Sequence, residues 1–475
     1  MFRVIAVFVL FVFAAPAASQ PLFTDAFPPE EFAARRARVM EAIGEAVAIV
    51  QGAAEYPGHL KFRQNNHFFY LTGVEVPRAI VLIDGRAKRT TLFLPPRNER
   101  LERSEGPVLV PGDEAARITG IESVVPRDTF ATVLGELNAQ ARVVYTPFRP
   151  ETLAAGTWYA AERHQEATAA DPWDGRPSRV EAFISRMKAQ APRLQFQDLD
   201  PVLDRLRLIK SPREIALIRE ATRIACDGIL EAMKAAQPGL YEYELAAVAD
   251  YHFRKNNAQG IGYYALVASG ANAHYPHYHA AQSQLKDGDL VLYDYAPDFK
   301  YYTSDVTRMF PANGRFTPWQ REIYGVYLQL YRAIMTSIRP NATASAVLDD
   351  ALVKMQRVLA TFRFTDPKIE AAAKRFVERF SEPRARTRLG HWVGMEVHDV
   401  DAEEGDVLKP GMVFTIEPAL TIPEDRVYIR LEDVILITDT GYENLSESLP
   451  YDIEGIERVM AQPGLGERKT AQTSR

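Results

Sequence analysis

Two carboxylates stand out first, because two predicted β-strands carry them within one short stretch. The stretch covers residues 285–310 and presents Asp294 after the apolar run 290–293 and Asp305 on a second strand. Neighbouring strands of a hairpin would bring both side chains to one point. There they repel unless a cation lies between them or one keeps its proton. Hard divalent cations prefer oxygen ligands, so the stretch predicts part of a metal site.

A similar unit recurs later in the chain. Residues 285–289 read LKDGD and residues 408–412 read LKPGM, and each turn leads into an apolar strand. Asp294 follows nine residues after the start of the first unit, and Glu417 follows nine residues after the start of the second. The matched offsets indicate an internal duplication rather than chance similarity.

The second strand of each unit also carries a carboxylate, Asp305 in the first and Glu432 in the second. Period-two alternation along residues 427–436 places Arg430 and Glu432 on one face of that strand. If the two units pair about a pseudo-twofold axis, four carboxylates come together. Such a cluster needs at least two divalent cations to balance its charge.

A nitrogen ligand would tune such a site towards Mn, Co or Zn rather than Mg or Ca. The segment 390–399, GHWVGMEVHD, supplies His391 and His398 just before the second unit. A single histidine is more often structural than a metal ligand. On the residues alone, either role stays open for this pair.

Bulk properties restrict the class of protein. The chain has 475 residues, 47% hydrophobic and 25% charged, which is typical of a globular protein with two domains. The net charge of -6 argues against a nucleic-acid partner, since phosphate binding needs clustered Lys and Arg. The single cysteine, Cys226, excludes an intrachain disulfide and is expected to be a buried small hydrophobe.

The N-terminus has the pattern of a signal peptide at residues 1–19. Arg3 precedes an apolar run at 4–15 that is too short to span a bilayer, and small residues follow as a cleavage site. A buried helix and an uncleaved anchor are the alternatives. We expect an exported protein, periplasmic or secreted, that has no membrane attachment after cleavage.

The elements that must position these residues fall into two groups. In the first, short β-rich runs alternate with helical segments, which predicts an α/β domain over residues 20–200. A helix is expected over 32–44 with Arg35, Arg36 and Arg38 facing outward. The predicted strands are 46–50, 79–83, 90–94 and 141–146.

The second group opens with a clear helix start. Ser211 is the predicted N-cap, Pro212 suits the first helical position and Glu214 completes a capping box. Helical and β-rich patterns then continue to residue 438. We place the second domain at 201–465 and a polar tail at 466–475.

Motifs around the carboxylates carry a family resemblance: 304–308 (SDVTR), 416–418 (IEP) and 430–433 (RLED), together with 62–66 (FRQNN) and 69–73 (FYLTG) in the first domain. They resemble the Xaa-Pro aminopeptidases, or aminopeptidase P, of the pita-bread metallopeptidases. That family also includes prolidase and methionine aminopeptidase. The resemblance implies an α/β N-terminal creatinase-like domain plus an α+β pita-bread catalytic domain with pseudo-twofold duplication.

The resemblance also implies two divalent metal ions, with manganese expected and cobalt or zinc compatible. It makes Asp305 and Glu432 the bridging ligands. Asp294 would complete one metal, and His391 and Glu417 the other. The full set of implied ligands is Asp294, Asp305, His391, Glu417 and Glu432.

The implied reaction is hydrolysis of the bond between an N-terminal residue and a following proline, by a water or hydroxide that bridges the metals. Glu417 would also accept a proton. His277 and His398 would hydrogen-bond the substrate carbonyl, and Arg430 would organise the pocket. The expected partners are peptides with proline in the second position, and self-association is left open.

The chain departs from the family pattern in two places. Tyr295-Ala296 follows Asp294 where Gly is common at the second position, and Thr387-Arg388 replaces a His-Gly pair near the proline pocket. A prolidase specific for Xaa-Pro dipeptides is therefore the alternative enzyme. A catalytically silent peptide-binding protein on the same fold is the alternative of another class. Methionine aminopeptidase is disfavoured because that family lacks the large N-terminal domain.

Overall fold

The structure is a computed structural model that describes residues 22–56, 60–401 and 407–465. The predicted signal peptide at 1–19 and the polar tail at 466–475 lie outside the described residues. Among the residues that are described, no helix has both the length and the apolar character needed to cross a bilayer.

The first part of the chain folds around one mixed β-sheet. Its strands are β1 Val47–Gln51, β2 Ile80–Asp84, β3 Arg89–Leu94, β4 Ser123–Pro126, β5 Val143–Thr146 and β6 Gln195–Asp198. They lie in the order β4-β3-β2-β1-β5-β6, with β2 antiparallel to both of its neighbours and the outer pairs parallel. The apolar runs of β1 and β2 are buried because helices cover the sheet. The helices of this part are α1 Pro29–Ile43, α2 Asn66–Thr72, α3 Glu99–Glu105, α4 Asp113–Thr119, α5 Phe130–Ala139, α6 Trp158–Ala170 and α7 Arg179–Gln190.

The prediction that α1 turns its arginines outward was wrong for two of the three. Arg35 and Arg36 are buried, whereas Arg38 is exposed. Arg35 donates to the carbonyl of Tyr70 at 3.2 Å and Arg36 to that of Leu71 at 3.0 Å. Both carbonyls belong to the last turn of α2, which has no intrahelical donors of its own. The two guanidinium groups are therefore buried because they cap a neighbouring helix.

The second part of the chain contains the remaining helices and several short antiparallel sheets. The helices are α8 Asp200–Leu208, α9 Pro212–Ala235, α10 Glu242–Lys255, α11 Pro318–Met335, α12 Ala344–Thr361, α13 Pro367–Arg379 and α14 Ile453–Met460. The strands are β7 Gly260–Ile261, β8 Leu266–Ser269, β9 Leu290–Asp294, β10 Pro297–Asp298, β11 Thr307–Pro311, β12 Val413–Ile416, β13 Ala419–Ile422, β14 Val427–Arg430, β15 Asp433–Ile437 and β16 Tyr442–Asn444. The boundary placed at residue 200 falls at the start of α8, and it stays a prediction.

The start of α9 confirms the capping prediction. The Ser211 side chain accepts from the backbone of Glu214, and the Glu214 carboxylate accepts in return from the backbone of Ser211. The other oxygen of Glu214 accepts from the Tyr302 hydroxyl at 2.8 Å. This cap therefore fixes α9 against the segment that leads to Asp305.

The two parts share one continuous hydrophobic core, which includes residues from α1 and α2 as well as from α9, β9 and β11. At the junction, the Phe69 and Tyr301 rings stack with centroids 3.5 Å apart. Beside them, Arg63 pairs with Asp298 of β10 at 2.5 Å. The N-terminal part is thus packed directly against the strands next to the predicted metal site.

Candidate metal centre

The first hairpin places its two carboxylates side by side. Strands β9 and β11 pair from Leu290 opposite Pro311 to Asp294 opposite Thr307, and Asp305 lies two residues before β11. Both carboxylates are buried. The hydroxyl of Tyr263 lies 2.6 Å from Asp294 Oδ1 and 2.8 Å from Asp305 Oδ1, so one phenol links the pair.

The second hairpin is interrupted where its carboxylates lie. Ile416 pairs with Asp433 and Ala419 with Arg430, and the residues between these pairs are off the ladder. Pro418 causes the break, because it has no N–H to donate. Glu417 and Glu432 therefore face each other at a gap in the sheet, rather than on the continuous strand that the alternation predicted.

The hydroxyl of Tyr327 on α11 satisfies the backbone groups that this gap leaves free. It donates to the carbonyl of Pro418 at 2.8 Å and accepts from the N–H of Leu431 at 2.7 Å. An unpaired buried backbone group would cost about 1–3 kcal/mol. The gap is thus stabilised by a neighbouring helix, and it holds its two glutamates in place.

The two hairpins meet at Thr307 and Glu432, which exchange backbone hydrogen bonds of 3.1 and 3.3 Å. Next to this bridge, the fully buried Arg308 donates to the carbonyl of Glu432 at 2.9 Å and to the carboxylate of Asp433 at 2.7 Å. Each of the motifs SDVTR and RLED therefore contains one carboxylate of the site and also residues that join the two units. This is the convergence of four carboxylates that the repeat predicted.

His391 completes the cluster from a third segment, which runs beside β12. The carbonyl of His391 accepts from Thr415 at 2.9 Å. Gly390 is required here because a Cβ would collide with the carbonyl oxygen of Thr415. The Nε2 atom of His391 lies 3.3 Å from Asp305, 3.4 Å from Glu417 and 3.6 Å from Glu432.

Buried negative charge dominates the electrostatics of this cluster. Burial and the adjacent Asp294 carboxylate raise the pKa of Asp305 to about 6. Burial and the Asp305 carboxylate likewise raise the pKa of Glu432. Burial opposes the charge of His391, yet the adjacent carboxylates of Asp305, Glu432 and Glu417 hold its pKa well above the usual range. The charges of the cluster call for a compensating cation.

The donor set fits divalent metal ions. Glu432 Oε1 is buried and has no hydrogen-bond partner in the described part of the chain, although it lies among ligand-type atoms. Three close groups of ligand-type atoms lie in the described part of the chain: Asp294, Asp305 and Glu432; His391, Glu417 and Glu432; and Asp305, His391 and His398. Asp305 and Glu432 each belong to two of these groups, which suits bridging carboxylates. Ligation itself stays a prediction.

Arg430 is the cation that the structure places among these carboxylates. Its guanidinium pairs with Asp294 and lies 3.2 Å from Glu417 Oε2. It also donates to Thr307 Oγ1 at 3.0 Å, and this hydroxyl donates to Glu432 Oε2 at 2.8 Å. Arg430 thus orients the carboxylates of Asp294 and Glu417 directly and that of Glu432 through Thr307, which agrees with an organising role.

His398 lies against the cluster, whereas His277 lies on an exposed loop beside it. The imidazole of His398 stacks on that of His391 with centroids 3.6 Å apart. Burial, with the nearby His391 and His277, lowers the pKa of His398 to about 2, so its ring is neutral. Burial and Arg430 also lower the pKa of His277, while Glu417 opposes this shift. The imidazole of His398 is therefore held against the predicted ligands, whereas that of His277 is linked to Glu417 and Arg430 by electrostatic interaction.

The segment between His391 and His398 is held by charges from α8 and the residues after it. Asp399 accepts from Arg207 at 2.6 Å and from Lys210 at 3.0 Å, and also from the backbone of Met395 at 2.9 Å. These groups are buried. The carboxylate of Asp399 therefore closes the loop that presents His398.

Sequence reasoning missed Tyr263, Thr307 and Asp399 as functional residues. Tyr263 belongs to none of the sequence motifs named above, and it is one of 21 tyrosines. Asp399 directly follows His398, so its place in the motif was the one available signal. Tyr263 contacts Asp294 and Asp305, and Thr307 contacts Glu432, only because the chain folds back on itself.

Comparison with known proteins agrees with this geometry. Residues 216–439 match Metallopeptidase family M24, and residues 32–145 match the family described as Aminopeptidase P, N-terminal domain. The Xaa-Pro aminopeptidase of Haemophilus influenzae is 30% identical over 91% of this chain and 97% of its own length. That of Escherichia coli is 31% identical with the same coverage. The Xaa-Pro dipeptidase of Pyrococcus horikoshii is 32% identical, but over 56% of this chain and 70% of its own length.

Solved structures show the same likeness. Proline aminopeptidase P II from Yersinia pestis has a TM-score of 0.71 and 29% identity, covering 92% of this chain and 100% of that one. Aminopeptidase P from E. coli with the inhibitor Pro-Leu has a TM-score of 0.71 and 28% identity, covering 91% and 98%. A zinc-substituted form of the E. coli enzyme with product gives the same values.

These matches confirm the predicted fold class, an α/β creatinase-like domain followed by a pita-bread catalytic domain. They also support the binding of divalent metal. The chain therefore belongs to metallopeptidase family M24, and it is a metallo-aminopeptidase with the aminopeptidase P type of N-terminal domain.

Proposed function

We propose that this enzyme removes an N-terminal residue that precedes proline, acting on Xaa-Pro-Yaa peptides. The observation that carries the proposal is the convergence of four carboxylates and one imidazole from three separate segments, with a second imidazole stacked on the first. The relatives that match over nearly their whole length are Xaa-Pro aminopeptidases. Their substrate class is therefore the one that we assign to this site.

Two divalent ions would be held by Asp294, Asp305, His391, Glu417 and Glu432, with Asp305 and Glu432 shared between the ions. We expect manganese, with cobalt or zinc able to replace it. When bound, the metals supply a Lewis acid for the peptide carbonyl and a more acidic water. They would also neutralise the carboxylates whose pKa values burial raises.

Glu417 is the predicted ligand that is best placed to move a proton. Its side chain is 29% exposed, whereas those of Asp305 and Glu432 are 8% and 1% exposed. In the metal-free protein, burial and the neighbouring Glu432 raise the pKa of Glu417. With the metals bound, its partial exposure is what leaves this carboxylate open to a proton from water. We assign it the proton taken from the attacking water.

His398 and His277 would bind the substrate carbonyl. The neutral ring of His398 can donate one hydrogen bond, and that bond strengthens as negative charge develops on the carbonyl oxygen. The acidic cluster beside it favours a positively charged group. We therefore orient the free amine of the peptide towards the carboxylates and the proline away from them.

The test is a peptide assay with the purified, manganese-loaded enzyme. We expect release of the first residue from Xaa-Pro-Yaa peptides and no cleavage when the proline is replaced by alanine. Glu417→Gln should lower kcat by a factor of about 100 or more. The matched control is Glu424→Gln, an exposed carboxylate seven residues further on, which should behave as the wild type.

Two other results would redirect the assignment. Cleavage of Xaa-Pro dipeptides alone would make the enzyme a prolidase, in line with its likeness to the P. horikoshii dipeptidase. Undiminished activity in Glu417→Gln would show that the measured activity does not come from this site. The protein would then be a peptide-binding member of the fold.

We also propose export, from the residue pattern at 1–19. Cleavage by a signal peptidase would leave a mature protein that begins near residue 18 or 20 and acts on extracytoplasmic peptides. Mass spectrometry of the N-terminus, after expression in a cell with a secretion pathway, tests this. An intact Met1 on protein recovered from the cytoplasm would contradict it.

A further inference from the structure

Tyr159 lies beside His398, although it comes from a part of the chain that neither family match covers. It is the second residue of α6, between the matched ranges 32–145 and 216–439. Neither family model therefore assigns it a role.

The segment before α6 pairs with the loop that carries His398. The carbonyl of Ala155 accepts from the N–H of Val397 at 2.8 Å, and Thr157 forms a parallel bridge with His398. These backbone contacts fix the distance between the start of α6 and the loop. These contacts hold Tyr159 next to the imidazole of His398, independently of the later residues of α6.

The ring of His398 is enclosed on two sides. One face stacks on His391 at 3.6 Å, with an interplanar angle of 16°. Tyr159 meets it edge to face, with centroids 5.1 Å apart and an angle of 84°. The Tyr159 hydroxyl lies 3.5 Å from Nε2 of His398, which is the long limit of a hydrogen bond.

Tyr159 is itself oriented by its neighbours on α6. The guanidinium of Arg163 lies over its ring at 4.8 Å, and Trp158 packs edge to face at 5.7 Å. None of the residues of α6, all of which the structure describes, is fully buried. The helix therefore contributes little to the core, and its best-defined contact with the catalytic part is the one at His398.

We propose that Tyr159 is a positioning residue, which fixes the ring of His398 in the orientation needed to bind the substrate carbonyl. This inference rests on the proposed function, since it presumes that His398 contacts substrate. Catalytic hydrogen bonds are often long without substrate and tighten when it binds. The hydroxyl of Tyr159 would shorten its contact with Nε2 in that step.

The experiment is a double-mutant cycle on a manganese-loaded enzyme with an Xaa-Pro-Yaa peptide. Tyr159→Phe removes the hydroxyl and keeps the ring, and we expect kcat to fall about tenfold with KM and Tm unchanged. His398→Ala should lose more activity. The double variant should match His398→Ala alone, because Tyr159 would act only through that ring.

The matched control is Tyr251→Phe, because Tyr251 is an exposed tyrosine on α10. This substitution should leave kcat, KM and Tm unchanged. Independent losses that multiply in the double variant would overturn the proposal, as would wild-type kcat in Tyr159→Phe. A fall in Tm that accounts for the lost activity would also overturn it, since that is a purely structural effect.

A readout without turnover separates this inference from the proposed function. In a zinc-loaded, ¹⁵N-histidine-labelled enzyme, Tyr159→Phe should shift the Nε2 resonance of His398 and leave that of the distant His252 in place. An unmoved His398 signal would contradict the positioning role. Failure of the wild type to cleave any Xaa-Pro peptide, with the His398 signal shifted, would instead contradict the proposed function alone.

Discussion

At the scale of single residues, the site depends on hydroxyl groups that bring no charge of their own. The single proton of the Tyr263 hydroxyl is shared between the two carboxylates of the first hairpin, and Thr307 donates to Glu432 of the second. Burial and the nearby carboxylates raise the pKa of Tyr263 well above its usual value, so it stays a donor. Such groups orient carboxylate oxygens before a metal arrives, which lowers the cost of binding it.

Tyr263→Phe should therefore weaken metal binding by about 10- to 100-fold while the protein stays folded. The measurement is a competition for metal against a chelator of known affinity. Tyr295→Phe is the matched control, because its hydroxyl donates at 2.6 Å to Asp250, outside the predicted ligand set. Equal metal affinity in the two variants would show that the Tyr263 hydroxyl does not support the ligands.

The raised pKa of Asp305 predicts how pH acts on the metal-free protein. The carboxyl of Asp305 has a pKa of about 6 in the folded protein, against 3.8 as its ordinary value. Its proton is thus bound more tightly in the folded state, and this stabilisation is complete below about pH 4 and lost as the pH rises through 6. The raised pKa of His391 acts in the same direction.

We expect the difference in Tm between metal-loaded and metal-free protein to increase from about pH 5 to about pH 8, since protons compete with the metals. Thermal unfolding at several pH values measures it. Groups outside the site, such as Asp198, titrate in both the metal-loaded and the metal-free protein, so their contributions cancel in the difference in Tm. A constant difference across this range would mean that the cluster does not bind the metals.

At the scale of elements, the site is built where regular structure stops. Glu417 and Glu432 lie in the gap of the second hairpin, and His391 and His398 lie in a loop that two buried cations hold. In Asp399, burial opposes the charge, but Arg207 and Lys210 lower its pKa to about 2. The loop is therefore fixed by an ion pair that stays charged throughout the working pH range.

Asp399→Asn should destabilise the protein by about 3 kcal/mol or more, because it removes the carboxylate paired with the buried Lys210 and one of the two carboxylates paired with the buried Arg207. Urea unfolding measures this, and a fall in kcat should accompany it as His398 loses its position. Asp425→Asn is the control. Its partner Lys368 is exposed, so the change should cost no more than about 1 kcal/mol. Equal stability of the two variants would contradict the role of Asp399.

At the scale of the whole molecule, the N-terminal part is a structural support of the catalytic site. Asn66 donates to Glu396 at 3.0 Å, and Arg63 pairs with Asp298 and lies over the ring of Tyr301. The larger of the two hydrophobic cores runs through both parts, and the smaller one lies within the N-terminal part. The two parts should therefore unfold together, unlike domains joined by a loose linker.

We predict one urea transition that is the same by far-UV circular dichroism and by loss of activity. Arg63→Ala should destabilise the protein by about 3–5 kcal/mol, because it leaves the buried Asp298 unpaired. Arg78→Ala, which removes an exposed pair with Glu55, should change stability by less than about 1 kcal/mol. Two separate transitions in the wild type would show that the domains are energetically independent.

The sequence alone determined the fold class, the capping box of α9 and the residues that converge on the site. These predictions succeeded because hydrophobic periodicity, helix caps and the repeated unit each depend on residues that are close together in the sequence. The matched offsets of Asp294 and Glu417 were enough to predict two similar units. Family motifs then added His391 and the catalytic assignments.

Only the tertiary structure decided which polar groups act on the site from a distance. The burial of Arg35 and Arg36, the gap at Pro418 and the contact between Tyr159 and His398 all join residues far apart in the chain. Periodicity places a side chain on one face of its own element, but it carries no information about the element packed there. Charged groups and hydroxyl groups bind partners on neighbouring elements, so their roles depend on how the elements pack.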